Sequence, residues 1–245
     1  MTGQETDGRL HGRRVLITGA SSGIGAATAR AIVAAGGRVA LLARRPEPVQ
    51  ELATELDGAA VPADVTDVDG VGAAVEEAAS QLGGLDGLVN AAGAMRAGRI
   101  ADTDPAAWRL MFDVNVLGLL HVTQAAIPHL RRDGGDVVNI SSMSGRRVGS
   151  VEMAAYAASK AAVHTVSEGL RRELSDDGVR VTVVAPGVVD TDLFGDRDDE
   201  TTSRLRDKAR TEGLGAVDVA SAIVGVLLAP PHVVHVEVAM LSIHQ

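Results

Sequence analysis

Short apolar segments rich in Val, Ile and Leu alternate along the chain with longer segments whose apolar residues recur at helical spacing. The short segments predict strands over residues 13–18, 38–43, 59–63, 85–89, 136–140, 180–185 and 233–240. The longer segments predict helices over 24–35, 47–56, 68–82, 106–130, 153–175 and 217–228. Strands that alternate with helices form parallel sheets through right-handed crossovers. The pattern therefore predicts an α/β fold in three αβα layers, a doubly wound parallel sheet of about seven strands with helices on both faces.

Two segments depart from this alternation. Residues 1–11 are polar and predict an N-terminal tail, so residues 12–245 are expected to form one domain. Residues 191–212 carry many charges and few apolar residues. Such a composition is typical of a solvated loop or helix pair, and also of a mobile flap over a site. Because the segment follows the sixth predicted strand directly, both interpretations stand, and we expect a substrate flap there.

Composition narrows the classes of partner. Aromatic residues make up 2% of the chain, and acidic residues outnumber basic ones by 32 to 23, which gives a net charge of -9. These values argue against a nucleic-acid surface or an anionic-membrane surface. The chain has no cysteine and no metalloprotease spacing of histidines, so neither disulfides nor a metal site is expected. No signal segment and no uninterrupted apolar run of membrane-spanning length is visible, so we expect a cytoplasmic protein.

Tyr156 and Lys160 are four residues apart, which places a phenol and an ammonium on one face of the predicted helix. A free phenol has a pKa of about 10, and a nearby cation favours its anion. The pair is therefore a candidate proton-transfer device. The simpler alternative is that the two side chains share a solvated helix face.

A glycine-rich turn, Thr18-Gly19-Ala20-Ser21-Ser22-Gly23-Ile24-Gly25, joins the first predicted strand to the first helix. Glycines at this place let a pyrophosphate approach the backbone, and the helix N-terminus supplies oriented N–H groups. The spacing differs from G-x-G-x-x-G, and a plain tight turn explains three glycines equally well. The position in the first strand-to-helix connection favours a dinucleotide site in a Rossmann-type fold.

A series of motifs, in order along residues 13–240, resembles those of the short-chain dehydrogenase/reductase family. The family's T-G-x-x-x-G-x-G loop matches Thr18, Gly19, Gly23 and Gly25, and its N-A-G type motif matches Asn90, Ala91, Ala92 and Gly93. Its Y-x-x-x-K motif matches Tyr156 and Lys160, and its P-G-x-x-x-T motif matches Pro186, Gly187 and Thr191. The family's helix asparagine matches Asn115, and the serine of I-S-S-x-x-G matches Ser142.

The resemblance implies roles for four catalytic residues. Tyr156 would protonate a carbonyl oxygen during reduction, and Ser142 would hydrogen-bond that oxygen. Lys160 would lower the pKa of the phenol and hold the nicotinamide ribose, and Asn115 would hold a water that connects Lys160 to solvent. The expected cofactor-binding residues are Gly19, Ser21, Ser22, Gly23, Ile24, Gly25, Arg44, Arg45, Asp64, Val65, Asn90, Ala91, Gly93, Tyr156, Lys160, Pro186, Gly187, Val189 and Thr191.

The end of the second predicted strand indicates which cofactor is used. NAD enzymes typically place an acid there to accept the ribose hydroxyls, whereas a 2′-phosphate requires arginine. Here Ala43 is followed by Arg44 and Arg45, so NADP(H) is favoured and NAD(H) is less expected. The alternative is that both arginines are solvated loop residues. Asp64 and Val65 resemble the family's adenine-contacting pair, although Asp64 also suits a helix cap.

The interval from Ser142 to Tyr156 is one residue longer than is usual in the family, which leaves Ser141 and Ser144 as rivals to Ser142. Ser142 holds the usual place before Gly145, and Ser141 should point to the opposite face of its strand. The residues expected to contact substrate are Ser142, Ser144, Met95, Met153, Val188 and Phe194, with Leu193 beside them. Arg96, Arg146 or Arg147 could bind a substrate carboxylate, or all three could be solvated.

The function expected from this resemblance is NADP(H)-dependent interconversion of a small ketone or aldehyde and its alcohol. Arg44-Arg45 and the region 230–237 also resemble the branch that includes clavulanate-type and serine-type dehydrogenases. Two alternatives are a nucleotide sensor that keeps the fold without turnover and an epimerase that retains its cofactor through a hidden oxidation and reduction. The family implies a homodimer or homotetramer, built through the helices at 106–130 and 153–175 and the last strand.

Overall fold

The computed structural model describes residues 10–132, 134–194 and 199–245. Seven parallel strands form one sheet in the order β3-β2-β1-β4-β5-β6-β9. These strands are β1 (Arg14–Thr18), β2 (Arg38–Ala43), β3 (Ala59–Pro62), β4 (Gly87–Asn90), β5 (Gly135–Ile140), β6 (Val179–Pro186) and β9 (Glu237–Met240). Two further strands of two residues, β7 (Val189–Asp190) and β8 (Leu214–Gly215), pair outside this sheet and were not predicted.

Eight α-helices lie between the strands in the described residues. They are α1 (Gly23–Ala34), α2 (Pro46–Leu56), α3 (Val68–Leu82), α4 (Pro105–Phe112), α5 (Leu119–Leu130), α6 (Ala154–Glu173), α7 (Glu200–Glu212) and α8 (Ala216–Leu227). The order of strands reverses on the two sides of β1 and β4, which defines a doubly wound Rossmann-type sheet. The predicted fold class is confirmed.

Alternate residues of each strand face opposite layers of helices, as the strand period of two requires. In β1, Val15 and Ile17 belong to a core formed with α1, α2 and α8. Leu16, between them, belongs to a second core formed with α3, α5 and α6. All three side chains are fully buried. Helices therefore cover both faces of the sheet. The ends of the strands are left uncovered, and a ligand can bind there.

The predicted boundaries of β2 and α3 match those observed at both ends, and most others differ by one or two residues. The last strand is the largest exception, because β9 spans only Glu237–Met240 of the predicted 233–240. The N–H of Val233 bonds to the carbonyl of Pro230 in a turn, which excludes the start of this segment from the sheet.

The long helix predicted over 106–130 contains a π-helical segment. Asp113–Gly118 joins α4 to α5 as a π-helix within one continuous helix. The wider π turn shifts the buried face, so that Leu117 is exposed while Asn115 is buried. Of the four large apolar residues at helical spacing along this segment, Met111 and Val114 are buried, Trp108 is half-buried and Leu117 is exposed.

The same continuous helix, Pro105–Leu130, has 26 residues and a mean hydropathy of 1.4 over an 18-residue window, which is long and apolar enough to cross a membrane by length and composition alone. Core helices of globular proteins meet the same two criteria. Here Val122, Ala126 and Leu130 pack on Leu88 and Val137 of the sheet. The burial of this face accounts for its apolar composition.

The predicted tail and flap fall partly outside the described residues. Residues 1–9 of the tail lie outside them, whereas Leu10 is buried and its N–H bonds to the carbonyl of Ala35. Within the predicted flap, residues 195–198 lie outside. The described part consists of a 3₁₀ turn, Asp192–Phe194, and α7, whose first turn is capped by Asp199.

Candidate active site

A cleft of about 1160 Å³ runs along the carboxyl edge of the sheet, where β1 to β6 end. Its walls come from the connections that follow these strands. The expected cofactor residues on its wall are Gly19, Ser21, Ser22, Gly23, Ile24, Gly25, Arg44, Arg45, Asp64, Val65, Ala91, Gly93, Tyr156, Lys160, Pro186, Gly187, Val189 and Thr191. All the expected substrate residues also line it: Met95, Ser142, Ser144, Met153, Val188, Leu193 and Phe194.

Backbone packing determines the shape of the glycine-rich turn. Gly19 has φ +65°, and a Cβ there would lie 2.7 Å from the backbone of Ala92. A Cβ on Gly25 would lie 2.4 Å from the carbonyl oxygen of Gly19. The hydroxyl of Thr18 accepts a hydrogen bond from the N–H of Ala92 at 3.1 Å, which ties the turn to the end of β4. The turn thus brings the N-terminus of α1 against the cleft.

The donors at this end of the cleft fit a dinucleotide with phosphate groups. Ser22, the N-cap of α1, makes no side-chain capping bond, and the first turn of α1 has no acidic residue. The positive end of the helix therefore faces the cleft without a built-in anion. Arg44 and Arg45 lie on the neighbouring wall, where Arg45 Nη2 donates to Ser21 Oγ at 3.2 Å. Arg44 Nη1 is 3.9 Å from Asp64 Oδ2, and the Arg44 side chain is 68% exposed.

Asn90 is not among the residues that line the cleft, and its expected contact with the cofactor stays a prediction. Its Nδ2 donates to Thr123 Oγ1 and to Asn139 Oδ1, each at 2.9 Å. Asn139 Nδ2 in turn donates to Ser167 Oγ at 2.9 Å. Asn90 pairs with Asn139 in register across β4 and β5, so its amide satisfies buried polar groups of the core.

Asn115 is also buried, and its amide fixes the wall of the cleft. Its Oδ1 accepts from the N–H of Ala94 at 2.8 Å, and its Nδ2 donates to the carbonyl of Ala94 and to Ser159 Oγ, both at 2.9 Å. A Cβ on Gly93 would lie 3.6 Å from Asn115 Oδ1 and 3.9 Å from Lys160 Nζ. Gly93 therefore lies close to both the Asn115 amide and the Lys160 ammonium. Its role toward a water stays a prediction.

Tyr156 and Lys160 lie on the buried face of α6, so the solvated-face alternative is wrong. They are 6% and 4% exposed, and Lys160 Nζ is 6.0 Å from the centre of the Tyr156 ring. Lys160 Nζ donates to the carbonyl of Ile140 at 2.8 Å, at the end of β5. In the described part of the chain, no carboxylate pairs with this ammonium. The two functional groups are thus held at the end of the central strands.

Burial governs the acidity of both groups. It raises the pKa of Tyr156 to about 12, against the opposing effect of a hydrogen bond from Ser142. It also lowers the pKa of Lys160 to about 8. The expected lowering of the phenol's pKa by Lys160 is therefore not the net effect here, because loss of hydration disfavours the phenolate more strongly. At neutral pH the phenol keeps its proton and the lysine is mostly cationic.

Among the three serines, Ser142 is the one close enough to the phenol to oppose the rise in the pKa of Tyr156. Ser141 Oγ donates to the carbonyl of Lys160 at 2.9 Å, so its hydroxyl is committed to the backbone of α6. The N–H of Ser144 donates to Ser142 Oγ at 3.0 Å in the turn Met143–Gly145. The longer interval before Tyr156 forms this turn and a second 3₁₀ turn, Val151–Met153.

An apolar cluster surrounds the phenol at this end of the cleft, formed by Met95, Met111, Tyr156, Phe194 and Ala209. Of the three arginines considered for binding a substrate carboxylate, two line the cleft and one does not. Arg96 and Arg147 line the cleft. Arg146 does not, because its Nη2 is paired with Glu237 Oε2 at 2.6 Å outside the cleft, which corrects its candidacy.

Three polar residues on this wall were not predicted from the sequence: Asp192, Lys208 and Gln245. Gln245 Oε1 accepts from the N–H of Val188, and its Nε2 donates to the carbonyl of Val188, both at 2.9 Å. Lys208 belongs to α7, whose strongly charged sequence gave no indication of which residues turn inward. No periodicity or motif marks Gln245. Among the described residues, no group of histidine and acidic side chains is arranged to hold a metal ion.

Comparison with known proteins agrees with this geometry. The family model for short chain dehydrogenases matches residues 13–202. The chain therefore belongs to the short-chain dehydrogenase family of oxidoreductases. An uncharacterized oxidoreductase of Staphylococcus saprophyticus is 38% identical over 231 residues, which cover 91% of this chain and 94% of that protein.

Two solved structures show the same architecture with a cofactor present. A short chain dehydrogenase from Burkholderia cenocepacia in complex with NADP is 35% identical, with a TM-score of 0.84 over 95% of this chain and 97% of that one. The closed form of serine dehydrogenase complexed with NADP+ is 32% identical, with a TM-score of 0.85 over 94% and 95% of the two chains. Both are similar to this protein along nearly their whole length.

Proposed function

We propose that this protein is an NADP(H)-dependent oxidoreductase that interconverts a small ketone or aldehyde and its alcohol. The observation that carries the proposal is that Tyr156 and Ser142, both buried, line the same cleft as the glycine-rich turn. When bound, NADPH supplies the hydride. This chain supplies the proton donor, the oxygen-binding hydroxyl and the orientation.

In the reducing direction, Ser142 donates a hydrogen bond to the carbonyl oxygen and Tyr156 transfers its proton to that oxygen. The proton stays on the phenol until it is needed, because burial raises the pKa of Tyr156 to about 12. As the substrate oxygen gains negative charge, it becomes a stronger base than the phenolate and accepts the proton. Lys160, held by the carbonyl of Ile140, places a positive charge near the phenolate that remains.

The preference for NADP(H) rests on Arg44 and Arg45. Both line the cleft beside Ser21, and the second strand ends in Ala43 with no acid to accept ribose hydroxyls. Guanidinium groups bind phosphate through charge-assisted hydrogen bonds. The NADP bound in the Burkholderia and serine dehydrogenase structures supports the same choice.

The direct test is an absorbance assay of NADPH oxidation against a panel of ketones, aldehydes and oxo acids, with the products identified. We expect NADPH consumption equal to the alcohol formed. Conversion of a substrate without net change in NADPH would favour the epimerase alternative. Tight NADPH binding with no conversion across the panel would favour a nucleotide sensor. Either result would contradict the proposed reaction.

A further inference from the structure

The reacting end of the cleft carries an excess of positive charge. Arg96, Arg147 and Lys208 line it, from three separate segments of the chain. Arg96 adjoins Met95, and Lys208 adjoins Ala209, both members of the apolar cluster around Tyr156. Arg147 follows the turn that holds Ser142. Asp192 is the acidic residue on the same wall.

An acidic neighbour already neutralises Arg146 on one of these segments, but not Arg96 or Arg147. Arg146 is paired with Glu237 at 2.6 Å. Arg96 Nη1 donates to the carbonyl of Met95 at 2.8 Å. Within the described ranges, neither Arg96 nor Arg147 has a carboxylate within 4.0 Å. Lys208 has only a loose contact with Glu212, at 3.8 Å.

These cations are not explained by the phosphates of the cofactor. Arg44 and Arg45 stand beside Asp64 and Ser21, next to the glycine-rich turn. Arg96 and Lys208 instead adjoin members of the apolar cluster that contains the phenol, and Arg147 lies on the cleft wall just after the turn at Met143–Gly145. A chain with a net charge of -9 has thus placed two arginines without a carboxylate partner, Arg96 and Arg147, on the wall of the cleft that contains the proton donor. Their counter-charge is expected to come from a ligand.

We propose that Arg96 and Arg147 form a carboxylate-binding subsite, so that the substrate is an oxo acid and its reduced form a hydroxy acid. Lys208 adds longer-range attraction from α7. The apolar cluster contacts the carbon skeleton between the carboxylate and the carbonyl. This inference rests on the proposed function, and it specifies the chemical class of substrate for the same site.

The test compares matched acids and esters: acetoacetate with methyl acetoacetate, and 2-oxobutanoate with its methyl ester. The wild-type enzyme is expected to show a higher kcat/KM for at least one acid than for its ester. Replacing both arginines, Arg96→Gln with Arg147→Gln, is expected to lower kcat/KM for that acid by about 10- to 100-fold, the effect of losing charge-assisted hydrogen bonds. The ester should change less than about 3-fold, because it lacks the charge that the arginines bind.

Arg99→Gln with Arg146→Gln is the matched control, since it removes the same charge from the same two segments outside the cleft. It should leave the ratio of acid to ester kcat/KM unchanged. The dissociation constant of NADPH, measured by fluorescence titration, should be the same in both double variants as in the wild type.

Three results would overturn the subsite: equal kcat/KM for acid and ester in the wild type, equal losses for both in the Arg96 and Arg147 variant, or a matching loss of NADPH affinity. In each of these cases NADPH oxidation by the wild type would still support the reductase. Absence of NADPH oxidation with every acid, ester and other carbonyl compound tried would instead contradict the proposed function itself.

Discussion

Arginines serve opposite purposes at the two edges of the central sheet. At the amino edge, where β5 and β6 begin, Arg180 donates from Nε to Asp136 Oδ1 at 2.8 Å, and Arg13 also pairs with Asp136. The Asp136 side chain is only 3% exposed. Nearby, Arg14 donates from Nε to Asp86 Oδ2 at 2.8 Å. These arginines join neighbouring strands and are part of the fold.

At the carboxyl edge, Arg44, Arg45, Arg96 and Arg147 line the cleft. Of these four, in the part of the chain that the structure describes, only Arg44 has a carboxylate within 4.0 Å, and that contact is 3.9 Å long. Residue type alone therefore does not show whether an arginine stabilises the fold or binds a ligand. A cation paired with a buried acid supports the fold, and a cation left unpaired on a cleft wall is available to a ligand.

Lys160 shares one property with the charged residues at each edge. It is buried like Asp136, but it lies at the carboxyl edge and its hydrogen-bond partner is the carbonyl of Ile140 rather than a carboxylate. Burial of this ammonium without a carboxylate partner therefore lowers the free energy of unfolding. A residue whose only role was to stabilise the fold would not have this effect. Such a cost is typical of functional sites.

Loss of the acid at the amino edge should have the largest effect on stability. Asp136→Asn leaves Arg13 and Arg180 without their counter-charge, and we expect the free energy of unfolding to fall by about 3 kcal/mol. Urea denaturation measures this change. Glu55→Gln is the control, because it removes an exposed pair with Arg30 that should contribute no more than about 1 kcal/mol. Similar losses in the two variants would contradict the assignment of Asp136 to the fold.

At the carboxyl edge, charge removal should weaken binding and leave stability unchanged. We expect Arg44→Asp with Arg45→Ala to weaken NADPH binding by about 10- to 100-fold, since charge-assisted hydrogen bonds to the 2′-phosphate are lost. NADH lacks that phosphate, so its binding should change much less. Fluorescence titration with each dinucleotide gives the two dissociation constants. Equal changes for NADPH and NADH would remove the basis for the phosphate assignment.

A smaller effect, of opposite sign, is expected at Lys160. Burial lowers the pKa of Lys160 to about 8 from 10.5, so below pH 8 the folded protein holds a buried charge that the unfolded chain holds in water. Lys160→Met should therefore raise the free energy of unfolding at pH 7 by about 1–3 kcal/mol while abolishing turnover.

The same linkage fixes how this difference depends on pH. Between pH 8 and 10.5 the unfolded chain binds more protons at this site than the folded protein does, so wild-type stability from Lys160 rises with pH. The advantage of Lys160→Met should shrink over this interval. Denaturation at pH 7 and pH 10 tests it, and a difference independent of pH would mean that Lys160 is not a buried cation in the folded state.

The fold could be predicted from the sequence because the patterns that specify strands and helices are local. Strand and helix periods follow from burial on one face, and they located β2 and α3 at both ends. In the glycine-rich turn, Gly25 is required by a local contact with the carbonyl of Gly19, whereas Gly19 is required by the backbone of Ala92, far along the chain. The position of the turn between the first strand and the first helix made it recognisable. The π-helical segment at Asp113–Gly118 was not, because one wide turn leaves no periodic signature.

The candidate active site could be predicted from the sequence only in part. Asn90 and Asn115 both match family motifs, yet Asn90 bonds within the core and Asn115 supports the cleft wall. Arg146 and Arg147 are adjacent in sequence, and only the position of Glu237 on β9 separates a paired arginine from one on the cleft. Such distinctions depend on contacts between segments far apart in the chain, and no local pattern records them.

Tyr156→Phe tests whether Tyr156 donates the proton in a cleft that binds NADPH. The substitution removes one oxygen and keeps the ring that packs with Met95 and Met111. With the best carbonyl substrate found, kcat should fall by about 10²- to 10⁴-fold, the range for loss of a general acid. The dissociation constant of NADPH should stay within about 3-fold of wild type, because the phosphate-binding elements are unchanged. A variant that binds NADPH normally and still turns over at a near wild-type rate would contradict the claim.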